Sequence, residues 1–338
     1  MPKNKPREEK KPIGERISAL LARTIRFVTY DIWRITENEV SGLKEIYINI
    51  IKTVILAVRG FQSENLQTKA SALTYSTLLS IVPLLAVLLG IAKGFGFQGT
   101  VRQELFDYFP GHEMELNKAF EFVESYLAQA QGGVIIGVGL ILLFYTVINL
   151  ISSVEDTFND IWQIQKSRPW YRKISDYLAL FLVLPVLMTA SSGLSIFMST
   201  LQNSFLGQYL FFTPLVELFL HIAPYIITTL AFTGLYVSLP NTKVRFVNGL
   251  VAGFIAGCAF QLFQFIYISG QIWVSKYNAI YGSFAALPLF LLWLQISWTI
   301  CLFGAELTYA GQNIRSFSFD QDTRNISRRY RDFISILI

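Results

Sequence analysis

Residues 70–92 read ASALTYSTLLSIVPLLAVLLGIA. No Asp, Glu, Lys or Arg interrupts them, and Leu, Ile, Val and Ala fill most positions. A helix rises 1.5 Å per residue, so this run is long enough to cross a hydrocarbon core of about 30 Å. Working outward, five further runs have the same character, at about 133–154, 174–199, 214–238, 247–270 and 284–308. Only LQNSFLGQYLFFT separates the third from the fourth. The expectation is an all-α, polytopic membrane bundle of about six spans occupying residues 67–310. Composition agrees: 53% of the 338 residues are apolar and 15% charged, against about 25% charged in an ordinary soluble chain.

The distribution of Lys and Arg sets the orientation. Counting from the N-terminus, the segments outside the predicted spans carry 13, 3, 4, 0, 2, 1 and 5. Alternate segments therefore place 24 on one side and 4 on the other. Positive charge collects on the cytoplasmic side, which predicts a multi-pass protein of the cell (inner) membrane with both termini cytoplasmic. The net charge of +5 is accounted for by this asymmetry, and no nucleic-acid partner is expected. The first forty residues contain no apolar core of signal-peptide type, so the first span is expected to act as its own insertion signal. Cys258 and Cys301 each fall inside a predicted span. Two such cysteines form neither a disulfide framework nor a metal spacing, and no metal or other cofactor is expected.

The flanks are amphipathic. Ile17, Leu20, Leu21, Thr24, Val28, Ile32 and Ile35 form one helical stripe within residues 13–35, and Leu43, Ile46, Tyr47, Ile50, Ile51, Val54, Val58 and Phe61 form another within 43–61. Intervals of three and four mark helices with one apolar face. Residues 13–66 are accordingly expected to be cytoplasmic interfacial helices on membrane lipid, with packing against the bundle or a second subunit as the alternative. Residues 1–12 are rich in Lys, Pro and Glu and read as a disordered basic tail; 311–338 read as a cytoplasmic basic tail. The connection 93–132 has Leu116, Ala119, Phe120, Val123, Tyr126 and Leu127 at helical spacing after a break at Pro110-Gly111, which predicts a short helical cap on the outer face.

Polar groups in lipid are costly, so those inside spans are the candidates for function. On the first span these are Thr74, Tyr75, Ser76, Ser80 and Pro83. Proline frees a carbonyl one turn earlier, so the cluster reads either as a packed kink or as a polar strip along a cavity. Glu217 and His221 stand one helical turn apart on the fourth span. They read as a proton-sensitive pair or as an interfacial carboxylate beside a hydrogen-bonded His. Glu155, Asp156, Asn159 and Asp160, followed by Arg172 and joined by Glu306 from the sixth span, read as a cytoplasmic ion-paired gate or as a solvated turn. Gly249, Gly253 and Gly257, and likewise Gly133 and Gly137, form small-residue stripes that let helix backbones approach.

Four ordered motifs carry a resemblance. Ala70-Ser-Ala-Leu-Thr-Tyr-Ser-Thr-Leu-Leu-Ser-Ile-Val-Pro83-Leu-Leu resembles the opening signature of the YihY/BrkB family of bacterial inner-membrane proteins. Asp156-Thr-Phe-Asn159-Asp-Ile-Trp162 is similar to its second motif, and Leu239-Pro-Asn-Thr-Lys-Val with the glycine-rich fifth span to its third. Tyr281-Gly-Ser-Phe-Ala-Ala-Leu-Pro288-Leu-Phe-Leu-Leu-Trp293 with Gly304-Ala-Glu306-Leu resembles its fourth, which adds Tyr281 and Ser283 to the candidates for a substrate path. The family was long labelled ribonuclease BN. RNA hydrolysis would need clustered carboxylates or His in a polar domain with a basic groove, and this chain has two His and no such segment. The resemblance implies a non-enzymatic transporter or flippase for lipids or other amphiphiles. The alternatives are an ion channel, such as one for anions, and a non-transporting envelope assembly factor. Membrane lipids are the expected partners, with a homo-oligomer left open.

Overall fold

A computed structural model describes residues 32, 43–109, 111–129, 133–165, 168–176, 178–179, 182, 186, 212–275 and 286–324. All regular structure among the described residues is helical. The elements are α1 (Leu43–Ser63), α2 (Leu66–Gly94), α3 (Gln98–Tyr108), α4 (Glu113–Gln129), α5 (Gly133–Ile161), α6 (Phe212–Ser238), α7 (Phe246–Ser275) and α8 (Ala286–Arg324). Three stretches among the described residues are long and apolar enough to cross a membrane: Leu66–Gly94, Phe246–Gly270 and Leu287–Ile314. They match the first, fifth and sixth predicted spans. Helices α5 and α6 cover the second and fourth. Most of the third, 174–199, lies outside the described residues, as do 13–31 and 33–35 of the first amphipathic stripe. Helix α8 continues to Arg324, into the segment expected as a tail; residues 309–324 contain no proline to stop it.

The chain divides into two compact units, one of Met1–Arg59 with Ala310–Ile338 and the other of Gly60–Tyr309. In the first, Ile46, Tyr47, Ile50, Val54 and Val58 leave the apolar stripe of α1 exposed, while Lys52 and Ala57 are buried. The predicted apolar face is therefore bare, as lipid contact requires.

In the second unit α2 runs unbroken through Pro83. Its C-terminal half (Leu85, Leu88, Leu89, Ala92) packs with Val101 and Leu105 of α3 and Leu116, Ala119, Phe120 and Val123 of α4. The cap expected over 93–132 is thus two helices, turning at Gly111 with φ 86°, a left-handed value that glycine adopts without strain. Val87 of α2 meets Val147 of α5. Phe290, Trp293 and Leu294 of α8 pack with Tyr267 of α7 and, from α2, Leu78 and Ile81.

The closest helix pair is α6 with α7, and the glycine stripe explains it. A methyl group on Gly253 would collide with Thr233 Oγ1 and lie 2.9 Å from both the Thr229 carbonyl oxygen and the Thr233 amide nitrogen. One on Gly257 would lie 3.0 Å from Thr229 Oγ1, and one on Gly249 2.8 Å from Val237 Cγ2. Backbone lies against backbone, so neither helix can yield by rotating a side chain. By contrast, a methyl group on Gly270 of the same helix would meet nothing within 4 Å. Gly253→Ala is expected to lower stability by about 1–3 kcal/mol. Gly270→Ala should be neutral or stabilising by up to about 1 kcal/mol, through helix propensity alone. Thermal unfolding of the two variants in detergent checks the contrast.

Candidate functional site

The described polar side chains of the Gly60–Tyr309 unit gather into a junction at one end of the helices and a ladder between them. The junction forms where α5 ends. Glu155 is fully buried, and Lys173 lies 3.7 Å from its Oε1 and 3.4 Å from Asp156 Oδ1, with Ser152 Oγ at 3.3 Å. A carboxylate removed from water is tolerated only beside such a counter-charge. Asp160, one turn further, pairs with Lys69 at the start of α2 at 3.2 Å. The side chain of Asn159 accepts the Asn241 N–H at 2.8 Å, which ties α5 to the Leu239–Pro240–Asn241 turn. Arg168 donates to the Ser238 carbonyl at 2.9 Å, at the end of α6 where helical carbonyls lack partners, and pairs with Asp176 at 3.6 Å.

Helix α8 completes the junction. Glu306 is buried, and a side chain on Gly60 would collide with its carboxylate. Gly304 stands against the Tyr236 hydroxyl in the same way, with Ala256 Cβ 3.0 Å from where its own Cβ would be. The rings of Trp162 and Tyr309 meet edge to face at 5.4 Å, and Phe158 stacks on Tyr236 at 6.3 Å. Several buried atoms here have no hydrogen-bond partner among the described residues: Asn159 Nδ2, Trp162 Nε1, Tyr236 Oη and Glu306 Oε2. Buried polar atoms are rarely left so, and water or a bound group usually satisfies them.

The ladder lies between α2, α7 and α8. Thr74 Oγ1 is 3.1 Å from Gln295 Oε1, Trp298 Nε1 donates to Thr77 Oγ1 at 3.0 Å, and Trp293 Nε1 donates to Gln264 Oε1 at 2.7 Å. Thr74 and Thr77 also lie 2.8 and 2.7 Å from the carbonyl oxygens of Ala70 and Leu73, one turn back. A second polar contact joins α6 to α7 at its proline: Gln261 Nε2 lies 2.6 Å from Thr228 Oγ1 and 3.3 Å from the Pro224 carbonyl oxygen.

The predicted candidates separate on this geometry. Thr74 and Ser80 are buried, Ser76 and Pro83 half-buried, and Tyr75 points outward with 63% exposure. The structure brings Thr74 into the ladder through Gln295. Glu155, Asp156, Asn159, Asp160 and Glu306 all belong to the junction. Arg172 is exposed, and its neighbour Lys173 holds the buried acid. Tyr281 and Ser283 lie outside the described residues, as do the side chains of Glu217 and His221 on α6.

Sequence reasoning missed Gln264, Gln295, Thr77 and the indoles of Trp293 and Trp298. An amide inside an apolar run carries the same signal as a carboxylate there. It also missed His112. That side chain is 1% exposed, with its ring centroid 4.4 Å from Trp293, 5.2 Å from Tyr267 and 5.4 Å from Phe290. Its position four residues before Leu116 puts it on the apolar stripe of the cap, which was the available clue. Burial pushes its pKa down to about 4, against a small opposing effect of Glu113. Among the described residues no group of three or more His, Cys, Asp or Glu could hold a metal ion.

Three sequence stretches remote from one another thus converge on one junction: 156–162 at the end of α5, 239–241 after α6, and 304–309 on α8. The family described as Virulence factor BrkB matches residues 57–327, which spans the junction and the ladder. The UPF0761 membrane protein of Paraburkholderia xenovorans is 34% identical over 259 residues, 75% of this chain and 58% of its own length. Those of Alcanivorax borkumensis (31% over 260 residues; 76% and 59%) and Teredinibacter turnerae (32% over 286 residues; 82% and 63%) are similar to it in the same way. The chain therefore spans about three-fifths of the length of the curated relatives it matches. No solved structure matches it. A match over most of the chain, with relatives at this level of identity, makes the protein a member of the Virulence factor BrkB family.

Proposed function

We propose that this membrane protein is a transporter or flippase that moves a lipid or another amphiphile along the polar ladder between α2, α7 and α8. The observation that carries the reading is the ladder itself: Thr74–Gln295, Trp298–Thr77 and Trp293–Gln264 set hydroxyls, amides and indoles inside three described helices that are long and apolar enough to cross a membrane. An amphiphile needs a polar track for its headgroup beside an apolar face for its chains. Tyr75 and Leu79 on α2, and Leu262, Phe265 and Ile266 on α7, are exposed apolar groups on the helices that carry the track. The reading includes six spans in the inner membrane, both termini in the cytoplasm, and no enzymatic step or nucleic-acid partner. On that orientation the junction at Glu155 and Lys173 is the cytoplasmic gate.

Reconstitution with a fluorescent phosphatidylglycerol, an anion panel and small polar solutes tests the reading. Wild-type protein should scramble the labelled lipid between leaflets. Gln295→Leu combined with Thr74→Val should slow it about tenfold or more, corresponding to about 1.4 kcal/mol in the barrier, while the helical content is unchanged. Flux of neither lipid, ion nor solute by folded wild-type protein would sink the proposal.

The gate makes a separate prediction. Lys173→Met removes the cation beside the fully buried Glu155, which should cost up to about 3–5 kcal/mol of stability, whereas adding Glu155→Gln should recover much of the loss. Unfolding midpoints of the single and double variants measure this. Equal midpoints for the two would mean that Lys173 and Glu155 do not act as a pair.

A further inference from the structure

We propose that His112 is an acid-released latch that fastens the cap of α3 and α4 onto α7 and α8, over one end of the polar ladder. His112 follows the Gly111 turn and opens α4, its amide bonded to the Phe109 carbonyl (3.2 Å) and its carbonyl to the Leu116 amide (3.0 Å). The imidazole is the polar member of an aromatic box. Trp293 and Phe290 come from α8 and Tyr267 from α7, while Phe109 from the end of α3 meets Trp293 edge to face at 6.0 Å. Trp293 is at the same time the donor to Gln264, the rung of the ladder nearest the cap. The latch and the ladder share a side chain.

The chemistry of the box favours one protonation state. Among the described residues neither Nδ1 nor Nε2 of His112 has a hydrogen-bond partner, and the buried Tyr267 hydroxyl has none either. A neutral imidazole leaves one N–H unsatisfied here. An imidazolium would leave two, together with a positive charge that no carboxylate in the box offsets. The titratable groups acting here among the described residues are Tyr267 from α7 and Glu113 on its own helix, with Glu115 acting on Tyr267; Phe290 and Trp293 of α8 add no charge.

The sign follows directly. Docked, the ring accepts a proton only near pH 4, against an ordinary value of 6.5. Docking is therefore at full strength above about pH 6.5 and weakens as the pH falls from there toward 4, by a factor of at most about 300. Water, which the released ring can reach, is the better solvent for imidazolium. The rest of the cap has its own apolar contacts with α2 through Phe120 and Val123, so release would first free the turn and the start of α4. What release accomplishes, uncovering the ladder, rests on the transport reading; the latch itself does not.

Hydrogen exchange of residues 112–123 in the intact reconstituted protein tests the latch without any flux. After correction for intrinsic exchange, opening in the wild type should increase about tenfold or more between neutral pH and about pH 4.5. His112→Phe, which fills the box and takes no proton, should abolish the increase. Wild-type protection that does not change over this range overturns the latch, and so does an increase that persists in His112→Phe. If the Phe variant fails to assemble, the wild-type profile alone decides. Lipid scrambling at the two pH values then reads the consequence. Faster acid scrambling in wild type but not in His112→Phe supports control of the ladder, and equal scrambling in both overturns that control. An intact exchange signature with no scrambling at either pH supports the latch and counts against transport.

Discussion

Hydrocarbon offers a helix nothing to gain by leaving it, because lipid tails are as apolar as leucine. Helices surrounded by lipid must be held together by close packing and by polar contacts between them. Each interhelical feature of the Gly60–Tyr309 unit is one or the other. Gly253 and Gly257 bring the backbone of α7 onto that of α6. Where the helices stand further apart, amides, hydroxyls and indoles bridge them at Gln295, Thr77 and Gln264. At the helix ends, where water and headgroups begin, ion pairs take over.

The same constraint decides what the sequence could reveal. Apolar runs and glycine spacing are one-dimensional signals, and the helix ends they predict fall within a few residues of the observed ones over α2, α6 and α7. The cap was legible too, from the stripe Leu116–Ala119–Phe120–Val123 and the Pro110-Gly111 break. Pairings were not. Thr74 stood out on α2, yet nothing local to residue 295 says that its amide meets a threonine 221 positions away. Asp156, Asn159 and Glu306 were picked out as members of one cluster. That Lys173 rather than Arg172 turns inward depends on the helical phase of residues 170–176, for which neighbouring charges give no guide.

Structural and functional accounts of the ladder differ in a way that can be reasoned about. As adhesion, each hydrogen bond between helices contributes only about 1–2 kcal/mol or less. Between α2 and α8 there are two, at Thr74–Gln295 and at Thr77–Trp298. In both, the threonine hydroxyl also lies within hydrogen-bond distance of its own helix backbone. A hydroxyl with a local alternative can release its distant partner without being stranded. The threonine side of each contact can thus open at small cost, whereas the Trp298 indole N–H and the Gln295 amide need a replacement partner when it does.

The two ends of the ladder are built on the opposite principle. Buried atoms without hydrogen bonds lie at the junction, on Asn159, Trp162, Tyr236 and Glu306, and at the cap, on His112 and Tyr267. The Thr74, Thr77, Gln264 and Gln295 side chains between them all have partners within the chain. An unsatisfied buried group raises the free energy of the closed arrangement, by about 1–3 kcal/mol each if nothing else compensates it. The groups at both ends would be better off wet. Closure at either end is thus held by packing and counter-charge against a standing tendency to hydrate, so a change of a single charge, at Lys173 on one side or His112 on the other, is enough to shift the balance there. The self-satisfied middle has no such bias.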